Sequence, residues 1–128
     1  MKVHNVGPDV VNSMARVDLA TVDEEPASLI GRFDFNLSQC GVASFTGSPP
    51  WELHPEGDEL LHILSGECRL TLRNGGSEET CTLKQGDITV VPRGCWHRNF
   101  SPDGVTMLYM TPKEGNQHSW TDPKEGVT

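Results

Sequence analysis

From Phe33 to Met110 the chain is interrupted every few residues by glycine, proline or asparagine, and nothing between the interruptions carries helical periodicity. The intervening runs are short and alternate. Phe33-Asp34-Phe35 and Val42-Ala43-Ser44-Phe45 are followed by the break at Ser48-Pro49-Pro50. Leu60 to Leu64 is apolar on both faces except for His62. In Cys68 to Arg73, Leu70 and Leu72 face one way and the polar residues the other, the pattern of a half-buried antiparallel strand. Turn signals fall at Pro55 to Gly57, Ser65-Gly66, Asn74-Gly75-Gly76, Lys84 to Gly86, Pro92 to Gly94 and Ser101 to Gly104. The strongest is Asn74-Gly75-Gly76, because Asn-Gly tolerates the positive φ angles of a type I′ hairpin. Short, evenly spaced strands of this kind predict an all-β chain, closed as an antiparallel sandwich or small barrel.

The ends read differently. Residues 1–30 are weakly patterned, with Val17 to Val22 an edge-strand candidate. Residues 113–128 are rich in Lys, Glu, Gly and Pro around a lone Trp120, and read as an extended arm or a partly disordered tail. One domain over 31–112 is expected from a chain of 128 residues, which is enough to bury a single core. The net charge of -8 and a pI of about 4.9 repel phosphate backbones and anionic lipid, with no Lys/Arg cluster to offset them. Nucleic acid and membrane are therefore not the expected partners. Met1-Lys2 leads into a polar segment rather than the apolar run of a signal peptide. Cys40, Cys68, Cys81 and Cys95 lack C-x-x-C spacing and read as reduced strand residues of a cytoplasmic protein.

Two stretches carry chemistry. In Trp51-Glu52-Leu53-His54-Pro55-Glu56-Gly57-Asp58-Glu59, Glu52 and His54 are two apart and leave the same strand face. The Pro55 to Gly57 turn returns Glu59 beside them, and Asp58 is left in the turn. In the second stretch, Gly86 to His97, His97 opens a strand after a proline-glycine turn, with Asn99 on its own face. If both hairpins line one interior, His54, Glu59 and His97 converge, and Glu52 is available as a fourth group. Two imidazoles and one carboxylate on one side of an ion leave positions open for a substrate or dioxygen. Such a set suits one divalent transition metal per chain, with Fe or Mn favoured and Zn or Ni as alternatives. Parity turns His62 away from the Glu59 face unless a bulge intervenes. Glu52 if not bound to metal, or His62 if turned inward, is the candidate general base. Trp51 and Trp96 are out of phase with their neighbouring ligands and read as packing residues. Arg93 and Arg98 read as surface charges. Phe45, Met107 and Tyr109 read as core or barrel-mouth residues, and Tyr109 could donate a hydrogen bond to a ligand.

These residues carry a family resemblance. Glu52-Leu53-His54-x4-Glu59-x6-Gly66 resembles the first cupin motif, G-x5-H-x-H-x(3,4)-E-x6-G, with Glu52 at the first histidine position. Gly86-x5-Pro92-x-Gly94-x2-His97 is similar to the second motif, with Ser101 where that motif ends in asparagine. Nineteen residues separate Gly66 from Gly86, and the resemblance covers roughly residues 40–110. It implies a small jelly-roll-like barrel of two antiparallel sheets, with His54, Glu59 and His97 at the matching ligand positions. It also implies pairing into a homodimer through residues 1–30. Two functions follow as expectations. One is a metal-dependent oxygenase, isomerase or decarboxylase acting on a small molecule. The other is a non-catalytic cupin that binds or senses a small ligand.

Overall fold

A computed structural model describes residues 1–19, 27–28 and 32–123. Half of the edge strand expected over 17–22, part of the segment expected to pair copies and the last five residues of the tail lie outside them. A short helix α1 (Pro8–Asn12), with proline at its start, buries Val11. Among the described residues ten strands follow: β1 (Val17–Asp18), β2 (Ala27–Ser28), β3 (Phe33–Phe35), β4 (Ser38–Gly47), β5 (Trp51–Leu53), β6 (Glu59–Asn74), β7 (Ser77–Lys84), β8 (Ile88–Val91), β9 (Trp96–Pro112) and β10 (Gln117–Ser119).

The architecture rests on β6 and β9, which run antiparallel along nearly their whole length. Leu60 to Gly66 pairs with Met110 to Val105, and Arg69 to Arg73 pairs with Phe100 to Trp96. The first of these halves is flanked by β8 on β6 and by β4 on β9, and β4 also carries β1, β2 and β3. The second half is flanked by β7 on β6 and by β5 on β9, with β10 beyond β5. The long pair thus passes from one sheet into the other and folds them face to face. The chain is an all-β barrel of the jelly-roll type, as the strand spacing predicts.

Two expected turns are absent as turns. Ser65-Gly66 and Ser101 to Gly104 lie inside β6 and β9, where the register shifts and the strands bend. Gly66 and Gly104 have φ of 76° and 109°, and a Cβ on Gly66 would stand 2.1 Å from the Gly104 carbonyl oxygen. The bend therefore requires glycine on both strands. Its loosened polar groups find local partners. Ser101 Oγ donates to the Glu67 carbonyl at 2.7 Å and accepts the Gly104 N–H at 3.0 Å. Arg16 packs against Gly104 and donates to Ser65 Oγ at 3.1 Å. A glycine signal is the same for a turn and a bulge, and partner strands on both sides decide between them.

The Asn74 hairpin is present, with Asn74 paired to Ser77 across Gly75-Gly76. Only Gly75 (φ 63°) is left-handed, which matches a type II′ rather than the expected type I′ turn. Glycine at both central positions permits either, because neither carries a Cβ.

The inward faces of the two sheets bury Phe45, Leu61, Ile63, Leu70, Val91, Val105 and Met107. Each such side chain contributes about 1.5–3 kcal/mol on burial. Cys40, Cys68, Cys81 and Cys95 are all free thiols, the first two and the last buried, and burial pushes the Cys68 thiol up to about 12. A separate cluster joins Trp51, Leu53 and Trp96, with the Arg73 guanidinium 4.6 Å over the Trp51 ring. The tail, expected to extend away, instead returns through β10 onto β5, and Asp122 pairs with Arg73. No helix among the described residues is long and apolar enough to cross a membrane.

Candidate metal centre

Alternation along β5 buries Trp51 and Leu53 on one side and turns Glu52 to the other. Glu52 is the direct cross-strand partner of His97 on β9. His54 follows β5, and Glu59 opens β6 opposite Val91. These placements bring four donor groups, from Glu52, His54, Glu59 and His97, within 4.8 Å of one another. Glu59 spans the two rings, with Oε2 3.3 Å from His54 Nε2 and Oε1 3.1 Å from His97 Nε2. Glu52 Oε2 stands 3.4 Å from His54 Nε2 and 3.7 Å from His97 Nε2. His54, Glu59 and His97 are buried, and Glu52 is 28 % exposed.

Both imidazole Nε2 atoms are buried and make no hydrogen bond of acceptable geometry. Buried polar atoms are ordinarily satisfied, so two orphans aimed at the same two carboxylates mark a place built to hold something between them. The remaining ring nitrogens face oxygens. His97 Nδ1 lies 3.3 Å from the Cys95 carbonyl, which can only accept, so its proton sits there and Nε2 is left to face the cluster. His54 Nδ1 lies 2.9 Å from Asn116 Oδ1. Thr111 Oγ1 donates to Glu59 Oε2 at 2.5 Å, and His118 Nε2 stands 3.7 Å from Glu52 Oε1.

Without a cation the cluster neutralises itself. Burial works against a charged ring, but Glu52 and Glu59 outweigh it and raise His54 to about 10 and His97 to about 9. Burial likewise opposes ionisation of Glu59 and Glu52, and the two imidazoles overcome it, so both carboxyls ionise below their usual range. Two carboxylates and two imidazoles therefore attract positive charge, supplied by ring protons or by a divalent ion. The donor set fits a mononuclear transition metal, with nitrogen and oxygen ligands in equal number. The two carboxylates would cancel the charge of a divalent ion.

A cavity of about 200 Å³ opens beside the cluster. Phe45, Leu61 and Met107 supply apolar wall, with Gln39, Asn99 and Tyr109 as polar lining. The Tyr109 ring occupies the space where a Cβ on Gly41 would be. His62, the reserve candidate for a base, lies elsewhere. It pairs with Ile88 and Leu108, and the register of β6 is regular from Glu59 to His62, so no bulge turns it inward. Asp58, left in the turn, is exposed there and its Oδ1 accepts the Arg93 backbone N–H at 2.8 Å. Thr111, Asn116 and His118 escaped the sequence reading. Thr111 shares the parity of Met107 and Tyr109 and could have been found by counting. Asn116 and His118 carry no local signal.

Residues 43–111, just over half of the chain, match the sequence profile of the cupin domain. The chain belongs to the cupin family. It is 38% identical over 60 residues to the uncharacterised protein YdbB of Bacillus subtilis (strain 168), covering 47% of this chain and 50% of that one. The match thus spans about half the length of this curated relative. Among solved structures it is similar to hydroquinone 1,2-dioxygenase PnpCD in complex with Cd2+ and 4-hydroxybenzonitrile. The TM-score there is 0.58 at 16% identity, over 83% of this chain and 70% of that chain. It is also similar to a variant of Bacillus subtilis oxalate decarboxylase OxdC, with a TM-score of 0.58 and 17% identity over 64% of this chain and 24% of that one. Likenesses at this identity establish the shared fold.

Proposed function

We propose that this cupin is a metal-dependent enzyme acting on a small organic molecule, with His54, Glu59, His97 and Glu52 as ligands of one divalent ion. The observation that carries the reading is the pair of buried Nε2 atoms that face two carboxylates without a well-formed hydrogen bond, beside a small cavity. Iron or manganese is favoured by the equal share of carboxylate ligands, with zinc or nickel as alternatives. Bound there, the ion would supply Lewis acidity or, if redox-active, a site for dioxygen. The chain's own part is to bind and orient. Phe45, Leu61 and Met107 would exclude water from an apolar portion of the substrate, while Gln39, Asn99 and Tyr109 offer hydrogen bonds. Glu52, the least buried of the four, would serve as general base only where the other three residues hold the ion and leave its carboxylate unbound.

Oxygenase, isomerase and decarboxylase chemistry all fit this arrangement. The two carboxylates make the centre less attractive to an anionic substrate than an all-histidine site, which favours neutral molecules. A second reading, a non-catalytic module that binds or senses a small ligand, draws support from one observation. Glu52 is already engaged by both rings, and His62 is turned away, which leaves few groups free for proton transfer.

Two finer parts of the reading complete it. Free thiols favour a cytoplasmic setting. A second copy of the chain is the favoured partner, through residues 1–30 or the outer face of β8, β6 and β9. There Val90, Leu60 and Met110 form one cross-strand row, and Ile88 and Val90 are exposed. The deciding experiment is elemental analysis of protein purified without chelator, beside a His54→Ala, His97→Ala variant. One iron or manganese per chain, lost in the variant, supports the metal centre. Absence of metal after reconstitution overturns it. Turnover of any screened substrate then separates the enzyme from the binding module.

A further inference from the structure

Past β9 the chain turns back over the barrel mouth, and one residue of that segment reaches a ring of the cluster. The amide of Asn116 is held at both ends. Its Nδ2 donates to the Pro112 carbonyl at 2.7 Å, and its Oδ1 stands 2.9 Å from His54 Nδ1. A carbonyl can only accept, so Pro112 must face the NH2 group and thereby turns the amide oxygen on His54. That oxygen can also only accept, so Nδ1 of His54 carries a proton. Nε2 is then the nitrogen that faces the other three ligands.

We propose that Asn116 is a positioning residue of the metal centre, fixing the rotation of the His54 ring and reserving Nε2 as its ligand atom. This rests on the metal reading above. The two rings are oriented by different means. His97 is held by the Cys95 carbonyl within its own turn, whereas His54 depends on a side chain from outside the barrel. Asn116 is in turn placed by the strap around it. Gln117, His118 and Ser119 pair with Leu53, Glu52 and Trp51, and Asp122 is clamped by Arg73 on β6. Gly115 makes the preceding turn with φ 76°, against the Glu56 side chain. The segment that sequence alone reads as a polar tail is thus a strap that completes the surroundings of a ligand.

The test compares Mn2+ and Zn2+ affinity in the full chain and in Asn116→Ala, Asn116→Leu and Asn116→Asp, alongside His54→Ala. The NMR signal of the His54 Nδ1 proton is followed in the metal-free protein. Loss of the acceptor in the Ala and Leu variants is expected to weaken both ions by about 10–100-fold and to abolish the proton signal. Asn116→Asp keeps an acceptor for His54 but cannot donate to Pro112, and is expected to bind within a few-fold of the parent. If it binds as poorly as Asn116→Ala, the residue serves only to tether the strap, and the positioning role is overturned. Unchanged affinity in Asn116→Ala, with His54→Ala impaired, overturns the role and leaves the metal centre standing. If the parent binds neither ion yet shows the proton signal, the metal reading fails and the role fails with it, while the hydrogen bond stands.

Discussion

The N–H of Gly94 donates to the carbonyl of His54 at 3.0 Å, joining the two stretches that carry the site through their main chains. Beside it, Asp58 Oδ1 accepts the Arg93 N–H at 2.8 Å. The turn itself is closed by the Cys95 N–H on the Pro92 carbonyl, with Gly94 at φ 79° in the position where a type II turn needs glycine. The loop that presents His54 and the turn that launches His97 are therefore bonded to each other without help from any ligand.

Asp58→Ala is expected to lower stability by about 1 kcal/mol, the net worth of one hydrogen bond to a partly hydrated donor. Asp58→Asn keeps an acceptor and is expected to lose less than half of that. Urea unfolding of the metal-free proteins measures both. Equal loss in the two variants would show that charge, not the bond to Arg93, is what Asp58 contributes.

Metal binding should strengthen as pH rises. In the metal-free protein His54 and His97 hold their protons to about 10 and about 9, so at pH 7 an incoming ion must displace two. Uptake should release about two protons per ion, and log affinity should climb by about two per pH unit below 9. Calorimetry in buffers of different ionisation enthalpy counts the protons. Release of none would mean the rings are neutral before the ion arrives.

The stability of the metal-free protein should have a broad plateau. Both imidazoles gain protons' affinity on folding, so their contribution is complete below the unfolded value of about 6.5 and disappears as pH rises through 9 to 10. Glu59 and Glu52 shift the other way, so theirs is complete above about 4.5 and disappears on acidification. Melting temperature against pH should therefore fall on both sides. Glu59→Gln should bring the alkaline fall to lower pH, because each ring loses a carboxylate.

Gly66→Ala is expected to cost roughly 2–4 kcal/mol, from a left-handed φ and an overlap with backbone that has no rotamer to escape into. Gly76→Ala, where a Cβ meets nothing within 4 Å, is the control and should cost far less. Thermal unfolding of the pair reads the difference. Similar losses would place the bend of β6 elsewhere than at Gly66.

Ser44 and Thr106 face each other on β4 and β9, both buried, with their hydroxyls 2.9 Å apart. Ser44→Ala or Thr106→Val alone leaves one buried hydroxyl unpaired and should cost about 1–3 kcal/mol. The double variant removes both and should cost less than the two singles together. Strict additivity in this cycle would mean that each hydroxyl has another partner.

Strand alternation, hairpin positions and the parity that sends Glu52 and His54 one way and His62 the other follow from neighbouring residues, so the amino-acid order by itself determined them. The cupin motifs are equally local, since each ligand sits within a few residues of the turn that aims it. Tertiary structure alone decided the rest. Ser65-Gly66 and Ser101 to Gly104 read as turns until β6 and β9 are seen to pair across them, because a glycine bends the chain either way. It also decided that Asn116 returns to His54, through contacts 62 residues apart in sequence. No periodicity encodes such a meeting. It comes from the pairing of β10 with β5, the strand whose other edge is taken by β9.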